Sequence, residues 1–166
     1  MHKELEKFFE GQRARRIVAE AMLRSGLRVD NDGKIYCNSI EIAPAKMARA
    51  FGVDRRVVIE TAEEIADNDF LFGIFSGLEP RANFAHSAKE LGFDTIEIHA
   101  DPKGIGIVAD VTAILAKNKM GIRQIIADDA DLFPNPVLTI IVDGRLSGNV
   151  IEKIRKLRHA EKIILR

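Results

Sequence analysis

The residues of this 166-residue chain best suited to binding chemistry fall in one short run, Asp101-Pro102-Lys103-Gly104-Ile105-Gly106-Ile107. An apolar helical pattern follows at once, so the run sits where a helix begins. A helix start presents unpaired backbone N–H groups and a partial positive charge, which together attract a carboxylate or a phosphate. Gly104 and Gly106 let a ligand approach the backbone closely, and Lys103 adds a positive charge. Asp101 either receives an amino group or caps the turn. A plainer reading stands beside this one: the glycines only shape a tight strand-to-helix turn, with Asp101-Pro102 as ordinary turn chemistry.

A second set is cationic: Lys46, Arg49, Arg55 and Arg56. Residues 43–51 read as a short helix with Pro44 in its first turn. Gly52 supplies a left-handed cap, and Asp54 is the N-cap of a helix from Arg55 to about Asp67. Ala48, Gly52 and Val58 fall at the fifth, ninth and fifteenth positions of a helix-turn-helix, with Met47, Phe51 and Val53 apolar where that motif needs a core, so the segment resembles one. As a DNA reader, it would enter the major groove by the start of the second helix, and the four cations would meet phosphates or base edges. Glu60, Glu63 and Glu64 on the same helix would repel phosphates. The alternative is a helical module for dimerisation or for binding a protein partner.

No other constellation converges. His2, His86, His99 and His159 show no metal-ligand spacing. Asp128, Asp129 and Asp131 lack the glycine and terminal glutamate of an EF-hand loop. Cys37 reads as a small core residue, and no serine occupies a nucleophile elbow. There is no P-loop, and Gly104-Ile105-Gly106 lacks the third glycine of a dinucleotide fingerprint. The chain is therefore expected not to be an enzyme, and no cofactor or metal is implied.

The elements that position these residues follow from periodicity. Residues 3–25 are helical in pattern and divided at Gly11; Asp30-Asn31-Asp32-Gly33 is a turn, followed by a strand over 34–37. The aromatic, glycine-bearing stretch 70–78 is too apolar for a linker and should be packed, against a partner chain if not its own. Residues 82–91 read as one more helix, stopped by Gly92. Then 95–100 alternates as a strand, 107–118 is an amphipathic helix, 122–127 and 137–142 are strands, about 147–157 is a helix, and 162–165 a last strand. Strand, helix, strand, strand, helix, strand is a split βαβ pattern, a ferredoxin-like four-stranded sheet with two helices on one face.

Within that pattern, residues 98–112 resemble the first strand, glycine loop and first helix of an ACT domain, and Met120-Gly121-Ile122-Arg123-Gln124-Ile125 resembles the family's second motif. The resemblance covers about residues 93–166. Helix register aligns Gly106 with the family's loop glycine, and the spacing from Asp101 aligns Gly104. The resemblance implies an amino acid or related metabolite bound at the loop where two subunits meet. Arg123, Gln124 and Ile125 of the neighbour would supply the second wall.

Composition sets the outer bounds. Hydrophobic residues make up 46% and charged residues 30%, with 25 basic against 25 acidic side chains. Residues 1–80 hold 12 basic and 14 acidic residues, so neither non-specific nucleic-acid coating nor a strongly basic half is expected. No stretch approaches the roughly 18 apolar residues of a membrane span, and the charged N-terminus lacks a signal-peptide core, so no membrane partner and a cytoplasmic setting are expected.

The expectation is thus an α+β protein. Residues 1–80 form a winged-helix-like helical domain, 81–92 a connecting helix, and 93–166 a βαββαβ ACT domain. The chain as a whole resembles archaeal-type ligand-responsive regulators of amino-acid metabolism and is expected to be a homodimer or higher homo-oligomer. The alternative is an accessory subunit that controls a biosynthetic enzyme without touching DNA.

Overall fold

The computed structural model describes residues 3–101 and 104–166; Met1, His2, Pro102 and Lys103, the last assigned above to the ligand loop, lie outside the described residues. The chain is α+β and divides into two compact units, residues 1–81 and 82–166. Among the described residues no helix is long and apolar enough to cross a membrane.

The first unit runs α1 (Lys3–Phe8), α2 (Arg13–Ser25), β1 (Arg28–Val29), β2 (Ile35–Cys37), β3 (Ile40–Glu41), α3 (Pro44–Phe51), α4 (Arg55–Asp67) and α5 (Asp69–Phe75). The strands form a small antiparallel sheet in the order β1-β2-β3. The turn between β1 and β2 is organised by Asp30, whose Oδ1 accepts from the amides of Asp32 (3.0 Å) and Lys34 (2.9 Å). Burial alone would raise the Asp30 pKa, but hydrogen bonds from the Lys34 amide, the Tyr36 hydroxyl and the Asp32 amide outweigh it and hold the carboxyl below its usual range. One core gathers Phe9, Met22, Val29, Ile35, Met47, Val58, Ile65, Leu71 and Phe75. The aromatic stretch after Asn68 is therefore packed within its own unit, as α5, with the Asn68 side chain accepting from the Leu71 amide.

The second unit contains β4 (Asp94–Ala100), α6 (Ile107–Lys117), β5 (Ile122–Ala127), β6 (Val137–Val142), α7 (Gly148–Arg155) and β7 (Ala160–Leu165). The sheet order is β5-β6-β4-β7, and every adjacent pair is antiparallel. Period-two alternation puts Ile96, Ile98, Leu138, Ile140 and Val142 on one face, where they meet Val111 and Leu115 of α6 and Val150 and Ile154 of α7.

The opposite face is partly covered by residues 82–93. The helix expected over 82–91 is present only as a single 3₁₀ turn, Lys89–Leu91. The reason is competition for the backbone. The Gln124 side chain donates to the Ala82 carbonyl (2.6 Å) and accepts from the Phe84 amide (3.1 Å). Asn83 accepts from the Ala85 amide, and Thr95 donates to the Ala85 carbonyl. The Ala82 and Ala85 carbonyls, which a helix would pair internally, are thus engaged by side chains, while Ala85 and Ala88 are buried against Ile141.

Candidate functional site

The sheet topology decides what lies near the loop after β4. Strands β4 and β5 both run antiparallel to β6, which lies between them, so their C-terminal ends flank the start of β6. The pairing of β4 with β7 slips between His99 and Ala100, where the chain leaves the sheet. A cavity of about 240 Å³ opens at this end. Asp101, Gly104, Ile107 and Val108 form one wall, and Ala127, Asp128, Ala130, Pro136 and Val137 the other, over Ile98 and Leu138. Ile107 and Val108 are the first residues of α6, so the first turn of that helix borders the cavity.

The two loop glycines do different work. Gly104 faces inward: its amide donates to the Asp101 carbonyl (2.8 Å), and an added Cβ would lie 3.0 Å from that oxygen and 3.1 Å from His159 Nδ1. Gly106 is the N-cap of α6, with φ of 101°, and nothing stands within 4 Å of where its Cβ would be. A side chain is disfavoured at Gly106 by backbone geometry and at Gly104 by space. Gly106, lacking a side chain, cannot itself accept from the first amides of α6 as a Ser, Thr, Asp or Asn cap would.

Of the residues expected at this site, Asp101, Gly104 and Ile107 line the cavity, whereas Ile105 and Gly106 lie off its walls, with Ile105 94% exposed. Arg123 and Gln124 are not brought to it within this chain. They lie at the other end of the edge strand β5, where Gln124 holds residues 82–84. The Arg123 guanidinium lies 4.7 Å from the Phe93 ring centroid and 3.3 Å from Asp143 Oδ1. Ile125, opposite Ile140, is exposed on the same edge.

Sequence reasoning missed Asp128, Ala130, Pro136 and Val137. Asp128 is fixed by the start of β6, its Oδ2 accepting from the Val137 amide at 3.1 Å. The available signal was the split βαβ order, which brings the ends of its first two strands to one end of the sheet.

In the first unit the segment 44–67 does form two helices around Gly52, which has φ of 67°. Asp54 caps α4 by accepting from the Arg56 amide at 2.8 Å. Lys46, Arg49, Arg55 and Arg56 are all exposed, and among the described residues none of their side chains is in an ion pair. The outward stripe of α4, however, reads Arg56, Glu60, Glu63, Asp67. Glu60 and Glu64 are each held by Arg15 of α2 at 2.8 Å. Those bonds, Glu60's foremost, raise the pKa of Arg15. The β1–β2 turn rests on α4 at Glu63, where a Cβ on Gly33 would be in ordinary contact at 3.5 Å.

No family model matches this chain, and no curated protein matches it. Five solved chains do match. Among them, the crystal structure of PH0061 aligns over 75% of this chain and 78% of its own, at 11% identity and a TM-score of 0.27. A superposition that loose carries no argument about fold or function.

Proposed function

We propose that this chain is a ligand-responsive regulator of amino-acid metabolism, a binding protein rather than an enzyme. In this reading residues 93–166 are an ACT-type module of ferredoxin-like topology, and the first unit is a winged-helix-like output module. The protein would work as a homodimer or higher homo-oligomer in the cytoplasm.

One observation carries the reading: the 240 Å³ cavity joins the glycine-capped start of α6 to two carboxylates, Asp101 and Asp128. A helix start favours a carboxylate, and a nearby carboxylate favours an ammonium group. A zwitterionic amino acid offers both. The remaining walls, among them Ile98, Ile107, Val137 and Leu138, suit an aliphatic side chain. Binding would act by population shift, favouring the arrangement of subunits that holds the effector best. Arg123, Gln124 and Ile125 enter this reading only as a neighbouring subunit's contribution.

The test is a panel of the common amino acids in a thermal-shift assay on the full chain. An effector at about 100 times its Kd should stabilise the protein by about 2.7 kcal/mol. The shift should vanish in Gly104→Val, whose side chain cannot fit beside His159, and shrink in Asp128→Asn. A flat response across the panel sinks the sensor reading.

For the output module, the four free cations support DNA contact and the acidic stripe of α4 supports the second reading, a protein-binding accessory subunit. A salt titration separates them. DNA binding through Lys46, Arg49, Arg55 and Arg56 should weaken steeply with salt and lose slope when Arg55 and Arg56 become alanine. No binding at low salt, together with co-purification of a biosynthetic enzyme, selects the accessory subunit.

A further inference from the structure

A second cavity, of about 210 Å³, lies on the sheet face covered by residues 82–93. Phe84, Leu91, Phe93 and Ile141 make its walls apolar, with Gln124 and Arg123 beside them. Gln124 holds Ala82 through its amide nitrogen and Phe84 through its amide oxygen, so the recruited backbone forms a wall of the cavity. Phe84 and Leu91 are nevertheless 48% and 54% exposed, which leaves the cavity open to solvent along two large apolar side chains.

Arg123 supplies the polar element. Its guanidinium sits over the Phe93 ring at 4.7 Å, and one of its five N–H donors reaches Asp143 at 3.3 Å. A plane held against an aromatic face keeps its edge donors available for a two-pronged bond to a carboxylate. The volume is below the roughly 300–1,000 Å³ of pockets for drug-sized ligands, so it fits a single ring or a single branched chain.

We propose that this cavity binds a small apolar carboxylate, with the ring or branched chain between Phe84, Leu91 and Ile141 and the carboxylate on Arg123. The ligand is assigned no ammonium group, because among the described residues the carboxylate paired with the guanidinium is Asp143, which already accepts from it. Within one chain this separates the site from the cavity at Asp101 in both place and chemistry, and the proposal does not need that cavity to hold an effector.

The experiment is an amide-resolved NMR titration of the full chain with 3-phenylpropionate, 3-phenylpropionamide and acetate. The acid should give saturable shifts centred on Phe84, Leu91, Phe93, Arg123 and Ile141, and acetate should give none. Arg123→Gln removes a half-exposed side chain and should weaken the acid about tenfold while leaving the amide unchanged. Phe84→Ala should weaken both. Equal binding of acid and amide, indifference to Arg123→Gln, or shifts centred on residues 104–108 and 127–137 would each overturn the proposal. A flat amino-acid panel would leave it standing.

Discussion

Two corners of this chain are built alike and finished differently. At Gly52 and at Gly106 the backbone turns left-handed and a helix follows, α4 in one case and α6 in the other. After Gly52 the chain runs two more residues to Asp54, whose carboxylate takes the Arg56 amide. At Gly106 the glycine is itself the cap position and offers the helix no side chain, and a cavity lies against the first turn. The first corner is complete on its own. The second borders a cavity, which is why the proposed effector is placed there and not at α4.

The largest expected effect tests whether the corners stand on independent cores. Leu71 in the first unit and Leu115 in the second are both fully buried. Leu→Ala at either should cost about 2–5 kcal/mol. Hydrogen exchange should accelerate in the mutated unit alone; acceleration in both would show one cooperative core and break the comparison.

Next come the two glycines. Gly52→Ala and Gly106→Ala meet nothing within 4 Å, so each is expected to cost about 1 kcal/mol or somewhat more from backbone strain. Denaturant unfolding should find Gly106→Ala the costlier, because its φ of 101° and ψ of −5° lie outside the narrow left-handed region that Gly52 occupies at 67° and 34°. Effector affinity should fall only in Gly106→Ala, and an equal fall in Gly52→Ala would erase the distinction.

Asp54→Ala sharpens the contrast from the capped side. Losing the bond to the Arg56 amide should cost about 1 kcal/mol, read as a lower unfolding midpoint with the effector response intact. The smallest effect belongs to Asp30. Its folded pKa lies below the unfolded value of about 3.9, so the stability it contributes is complete above that value and is lost as pH falls through the folded pKa. Asp30→Asn should therefore be less stable than the parent at neutral pH. The gap should close as pH drops below about 4 in a series of urea melts, and a gap that persists there would assign the effect to lost packing.

What could be read from sequence was local. Helices 44–51 and 55–67, with Pro44, Gly52 and Asp54 at their ends, and strands 122–127 and 137–142, with their apolar patterns, are marked by residue types within a few positions of one another. The segment 82–91 has equally helical local preferences and failed. Its backbone groups found Gln124 and Thr95, partners that the sequence places at the wrong distance to be seen.

The same division runs through the site. The chain order alone marked Asp101, the two glycines and the start of α6. Only the tertiary structure set Gly104 against His159, left Gly106 open, delivered Asp128 and Pro136 from beyond a second strand, and kept Arg123 for another cavity. The physical reason is reach. Periodicity and caps depend on neighbours a turn or a strand pair away, whereas a cavity is the space that distant strands leave once their register is fixed.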